Sequence, residues 1–242
     1  MKKIKNTLNY NITKIIDKIE KKESDKIKLA AQYIYESHLN DGTLFLFGTG
    51  HNHCLAEEAL HRAGGYANAC PIIDDKINFS KGIKKASKAE RTKGIAESLM
   101  KKYQIKNNDT VIIFTNSGVN TAPIEAAKYA KKIGSKVIVI LSLSYCKSFK
   151  DVKEKIYKIS DISIDNHGPI GDALVEISDN INIASPSIIS GSYILNSILL
   201  YLAKLLKNEK PFPFYLSSNL KRAKTHNKKL EKKFSKRNKF LK

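Results

Sequence analysis

Four short apolar runs, at residues 43–47, 110–114, 136–141 and 161–164, constrain this chain more than any other feature, because each is followed by a helical stretch or a gap of helix length. A strand covered on both faces reads as a continuous apolar run, whereas a strand with one wet face alternates. Parallel neighbours need a crossover of a dozen residues or more, and a helix normally supplies it. The pattern therefore predicts an α/β protein with a doubly wound parallel sheet, layered α/β/α. Upstream, residues 3–38 place Ile12, Ile15, Ile16 and Ile19, then Ile27, Ala30, Ala31 and Ile34, at helical spacing. Two amphipathic helices, or one kinked helix, should precede the first strand.

The first two runs end in chemically loaded turns. After Phe47 comes Gly48-Thr49-Gly50-His51-Asn52-His53, leading into a helix-forming stretch at 54–63. After Phe114 comes Thr115-Asn116-Ser117-Gly118-Val119-Asn120-Thr121, with Pro123 in the first turn of a helix that Gly134 closes. In an open α/β sheet the ligand crevice lies beyond the carboxyl ends of the strands. Glycines allow a tight turn there, and free N–H groups at a helix start receive an anion. Either loop alone is commonly a tight turn or an N-cap. Two on successive strands point to a shared anionic ligand held by Gly48, Thr49, Gly50, His51, His53, Thr115, Asn116, Ser117, Gly118, Asn120 and Thr121. Neither loop carries the third glycine of a dinucleotide fingerprint or the GK[ST] of a P-loop.

Composition bounds the rest. At 242 residues one core suffices, so a single domain is expected, with its body at about 10–220 and a basic tail at 221–242. Cys54, Cys70 and Cys146 are odd in number and widely spaced, as expected of small buried hydrophobes in a reducing cytoplasm. The apolar stretch 183–206 is broken by Pro186, Gly191, Asn196 and Lys204, which suits a buried helix rather than a membrane span. The net charge is +20, yet only four of the 43 basic residues are arginine, the side chain that forked phosphate contacts and base readout favour. Nucleic acid is therefore not the expected partner. Residues 221–242 hold eleven basic residues against Glu231 alone, a net +10 that reads as a solvated helix.

Longer motifs make the reading specific. The stretch FGTGHNHCLAEEALHRAGGYANACPII at 47–73 resembles the first ligand loop of a bacterial group of stand-alone SIS (sugar isomerase) domain proteins. In order there follow Glu90-Arg91 with Gly94, TNSGVNTAPIEAA at 115–127, Asp165-Asn166-His167-Gly168-Pro169 with Gly171-Asp172-Ala173, Ser218-Asn219 and His226-Asn227. The resemblance spans about residues 10–230. It implies a five-stranded parallel SIS fold, usually at least dimeric (a homodimer or homotetramer), that binds a phosphorylated sugar. Relatives with Ser-x-Ser-Gly-x-Thr in the second loop place hydroxyls where this chain has Thr115, Ser117 and, with an amide instead, Asn120. One departure lies after the third run, where the group's Arg-His is replaced by Ser144-Tyr145-Cys146 with Lys147 and Lys150 following.

Aldose–ketose isomerisation needs groups that move a proton between neighbouring carbons, work suited to carboxylates and imidazoles. The candidates are Glu58, Glu57, His51 and His226, with His167 and Asp172 as sugar contacts. Glu58 has an alternative use in an i, i+4 pair with Arg62, and His167 and Asp172 can simply form an Asx turn. His51 and His53 with Glu57 or Glu58 could hold zinc, but the spacing is loose and neither metal nor cofactor is expected. The expected function is that of a phosphosugar isomerase; a non-catalytic phosphosugar sensor and an amino-sugar-phosphate lyase or etherase are the alternatives.

Overall fold

The computed structural model describes residues 4–241. A five-stranded parallel sheet runs in the order β2-β1-β3-β4-β5, from β1 (Leu44–Gly48), β2 (Ala69–Pro71), β3 (Thr110–Phe114), β4 (Lys136–Leu141) and β5 (Ile162–Asp165). Helices α1 (Ile4–Leu39), α2 (His53–Glu58), α3 (Ile83–Glu90), α4 (Ile95–Lys102), α5 (Thr121–Lys132), α6 (Leu143–Ser148), α7 (Ser187–Leu205) and α8 (Ala223–Phe234) surround it, and β6 (Val175–Ser178) pairs antiparallel with β7 (Ile181–Ile183). The four apolar runs are β1, β3, β4 and β5, within a residue of the expected ends.

Both faces are buried along β1, β3 and β4, which is why those runs are continuous; β5, at the edge of the sheet, alternates buried Ile162 and Ile164 with half-buried Ser163 and Asp165. Leu44, Leu46, Ile112, Phe114, Ile138, Ile140 and Ile164 meet Ile19, Ile27 and Ile34 of α1 and Ile194, Ile198 and Leu202 of α7. Successive side chains of a strand point to opposite faces. The intervening Phe45, Phe47, Val111, Ile113, Val137, Val139 and Leu141 therefore pack with Leu99 and Met100 of α4 and Ala126, Ala127 and Ala130 of α5. Each fully buried Val, Leu, Ile, Phe or Met side chain among these contributes roughly 1.5–3 kcal/mol of transfer free energy.

Several expectations are corrected. The N-terminal segment is one unbroken 36-residue helix. Between β2 and β3 the sequence alone suggests one helix at 89–103, but the structure has two, α3 and α4, because Gly94 adopts φ +83° between them and its N–H donates to Glu125. Helix α2 stops at Glu58 rather than continuing to 63. Cys54 is exposed, whereas Cys70 and Cys146 are buried as expected, and burial pushes the Cys70 thiol up to about 12. Helix α7 is long and apolar enough to cross a membrane by length and composition, but Gly191 packs so closely on Leu55 of α2 that a Cβ there would lie 2.6 Å from Leu55 Cδ1.

The basic segment 221–242 is not a solvated tail. Leu230 and Phe234 of α8 are buried with Ala67 and Tyr215. Beyond the helix, Arg237 Nη2 lies 2.7 Å from Asp109 Oδ2, and Asn238 Nδ2 donates to the Ala69 carbonyl at 2.9 Å. Lysines cover the outer side of α8 while Ala223, Asn227, Leu230 and Phe234 form its inner stripe.

Candidate functional site

The register of β1 on β3 pairs Gly48 with Phe114, so the two loops leave neighbouring strands on one rim of the sheet. Between them lies an open cleft of about 370 Å³ lined by His51, Asn52, Thr115, Asn116, Ser117 and Asn120, closed on the far side by Tyr145, Gly171, Asp172 and Ser185. The two loops thus share one cleft.

The first loop is held by backbone geometry. A Cβ at Gly48 would lie 2.3 Å from the Asn52 carbonyl oxygen, so only glycine admits the close return of the chain. Gly50 adopts φ +56°, and its N–H donates to Ile77 O. Buried Thr49 donates its hydroxyl to the Glu90 carboxylate of α3. The loop therefore rests on the segment between β2 and β3, a contact that no spacing within the loop could reveal.

The second loop turns at Gly118, φ +65°, whose N–H donates to Thr115 Oγ1 at 3.3 Å. Asn120 is the N-cap of α5 in extended backbone, yet its side chain makes no capping hydrogen bond. Helical geometry leaves the N–H groups of Thr121 and Ala122 without partners inside the helix. On the floor, Asn166 Nδ2 donates to Asn116 Oδ1 at 3.1 Å, and Asn116 Nδ2 is buried without a partner. Ser117 and Asn120 line the cleft with neutral polar side chains, and the start of α5 follows directly. Among the described residues lining the cleft there is no lysine or arginine, so Lys147 and Lys150 do not supply the cation lost with the Arg-His pair.

The third wall is a carboxylate network. Asp172 Oδ2 accepts from Ser185 Oγ and from Ser187 Oγ, both at 2.6 Å, and lies 3.7 Å from His51 Nε2. Ser187 Oγ is 3.4 Å from the same His51 nitrogen. Asp172 and His51, expected separately as sugar contact and catalyst, thus lie side by side at the mouth of the cleft.

The remaining candidates lie elsewhere. Glu58 is paired with Arg62, as its helical spacing allows. Glu57 is half exposed, 3.4 Å from Nδ1 of buried His53, whose Nε2 has no partner; burial lowers the His53 pKa although Glu57 pulls it up. His226 lies on α8 with its Nε2 2.9 Å from the Phe214 carbonyl, and it does not line the cleft. His167, φ +52°, sits between Glu23 of α1 and Asp165, 3.4 Å from each. Burial raises the Glu23 pKa, but hydrogen bonds to His167, Lys26 and the Asp165 N–H outweigh it and hold the carboxyl below its usual value. Among the described residues no group of three or more His, Cys, Asp or Glu is placed to hold a metal ion.

Sequence reasoning gave no place to Asn52, Tyr145, Gly171 or Ser185 on the cleft, and it assigned Glu90 no role. Tyr145 follows Ser142, whose hydroxyl caps α6 by accepting from the Tyr145 N–H. That cap was the available signal.

An open parallel sheet with a polar cleft at the carboxyl ends of two adjacent strands defines a doubly wound α/β ligand-binding fold. The chain belongs to the SIS domain family, whose pattern matches residues 9–142. A UPF0309 protein of Brucella anthropi is 36% identical over 213 residues, covering 88% of each chain. In fold the chain is similar to a phosphoheptose isomerase from Francisella tularensis, with a TM-score of 0.54, 14% identity, and coverage of 86% of this chain and 100% of that one. It is also similar to the sugar isomerase domain of an RpiR transcription factor from Sphaerobacter thermophilus, with a TM-score of 0.53, 12% identity, and coverage of 96% and 99%.

Proposed function

We propose that this chain binds a phosphorylated sugar in the cleft between the β1 and β3 loops and interconverts its aldose and ketose forms. The observation that carries the reading is the single cleft shared by the two strand tips, with the uncharged donors of the β3 loop at one open helix start. Ser117, Asn120 and the N–H groups of Thr121 and Ala122 take the phosphate, where the partial positive charge of α5 adds to their hydrogen bonds. Asn52, Tyr145 and the His51–Asp172 pair face the sugar. His51 moves the proton between the two carbons, and Asp172 keeps its ring oriented.

The finer placement follows the same reading. Exposed Leu29, Ile189, Leu200 and Leu205 on α1 and α7 supply an apolar surface for a second copy of the chain, and Cys70 and Cys146 suit a reducing cytoplasm.

A phosphosugar sensor without turnover is the second reading. It is favoured by the position of the carboxylates: Glu58 is paired away with Arg62, and Asp172 is already occupied by two serine hydroxyls. The similar fold in a transcription factor is consistent with it, since fold alone does not select a function.

The experiment is a panel of hexose, amino-sugar and heptose phosphates, read first as thermal stabilisation and then as turnover. A selective ligand raises the melting temperature by mass action, and Ser117→Ala should abolish that rise while leaving the unliganded melting temperature within a few degrees. Stabilisation with no product formed supports the sensor; no stabilisation by any phosphosugar removes both readings.

A further inference from the structure

A second cleft, about 610 Å³, opens on the opposite rim of the sheet. Its walls come from the residues just before three strands: Asp41 and Thr43 before β1, Asn68 before β2, and Lys106 and Asn108 before β3. The C-terminal segment supplies the remaining cations, Lys233, Lys236 and Arg237, and α7 is followed by Glu209 on the same wall. This is where the basic segment delivers its charge once Leu230 and Phe234 have packed.

The charges there are not all alike. Lys233 is taken by Glu209 at 2.9 Å, and Arg237 by Asp109 at 2.7 Å. Lys106 and Lys236 have no ion-pair partner among the described residues, and both are exposed at the cleft. Acceptors sit on the same wall: the Asp41 carboxylate and Asn108, whose Oδ1 is buried without a partner while its Nδ2 donates to Asn40 O. The volume falls within the range of small-molecule sites and exceeds that of the sugar cleft. Free cations beside acceptors call for a ligand that is polyanionic at one end and rich in hydrogen-bond donors at the other.

We propose that this cleft binds a nucleoside polyphosphate, with Lys106 and Lys236 on its phosphates and Asp41, Glu209 and Asn108 accepting from its base and ribose. The site is independent of the sugar cleft, because the two lie at opposite ends of the same strands.

Calorimetric titration of the full chain with ATP tests it. One ATP per chain is expected, weakened at least tenfold in the Lys106→Ala/Lys236→Ala double variant. It should be unchanged within about twofold in Ser117→Ala, which separates this site from the sugar cleft. The Lys84→Ala/Lys85→Ala double variant removes the same charge from exposed α3 and should also bind ATP normally. Equal weakening in both lysine pairs means diffuse attraction to a basic surface and overturns the site. Inorganic triphosphate bound as tightly as ATP overturns recognition of the nucleoside, and no ATP binding overturns the whole proposal. Photolabelling of the unsubstituted chain with 8-azido-ATP gives a reading that needs no variant. Label on residues 38–43 or 104–109 supports the cleft, and label on 76–93 overturns it.

Discussion

The hydroxyl of Thr49 donates to the carboxylate of Glu90, joining the loop after β1 to a helix 41 residues further along the chain. A hydrogen bond to a charged group contributes about 1.5–3 kcal/mol, and losing one partner strands the other. Thr49→Val should therefore lower stability in urea by about 1–2 kcal/mol. It should also weaken phosphosugar binding about tenfold, which is the equilibrium equivalent of 1.4 kcal/mol. Thr49→Ser should restore both, and failure of the serine variant to do so would assign the effect to lost packing.

Gly118→Ala tests the second loop. A Cβ at Gly118 would lie 2.9 Å from Cys146 Sγ, 3.0 Å from Leu141 Cδ1 and 3.1 Å from Ile156 Cγ2, on a backbone at φ +65°. Crowding and left-handed strain add, and the expected cost is about 2–4 kcal/mol, read from the denaturant midpoint at constant m-value. Gly171→Ala meets nothing within 4 Å and should show the strain alone.

Arg237→Ala should be among the most damaging changes in the C-terminal segment. Asp109 is fully buried, and although the N–H groups of Thr43 and Lys106 also donate to it, Arg237 is its cation. Leaving a buried carboxylate uncompensated costs about 3 kcal/mol, seen as a fall in melting temperature. Arg222→Ala, at the exposed start of α8, should change it little.

Acid should weaken the fold in two stages. Burial lowers the pKa values of His38 and His53 below the ordinary 6.5. As pH falls through 6.5 the unfolded chain binds protons first, so stability declines from there down to the folded values. Glu23 is also held below its ordinary 4.5, so its contribution is present above that value and is lost as pH falls through the folded one. Denaturation midpoints measured from pH 7.5 to 3 should show both declines. His53→Gln should flatten the first, and Glu23→Gln the second.

Much of this architecture is readable from local pattern. β1, β3 and β4 are apolar on both faces, whereas edge strand β5 alternates Ile162 and Ile164 with Ser163 and Asp165, and the loops after β1 and β3 carry the glycines and hydroxyls that the cleft uses. β2 escaped because it is three residues long, ends in Pro71 and borrows its neighbours from β1 and the C-terminal segment. The stripe of Ala223, Asn227, Leu230 and Phe234 was present at helical spacing but hidden among lysines, since two large apolar residues in twelve make a faint signal. At the site, Ser117 and Asn120 were legible from the loop, whereas the Thr49–Glu90 and His51–Asp172 pairings depend on long-range packing that no motif encodes.

The outer side of β2 is completed late. Tyr66 and Ala67 pair with Phe214 and Pro213, and the Ala69 carbonyl finds its donor only at Asn238. During synthesis all five strands therefore emerge while that border still offers unsatisfied backbone groups to any neighbouring chain. Aggregation of the nascent protein should be governed by how promptly residues 213–238 dock, making this stretch the natural place to look for sensitivity to translation speed and to chaperones.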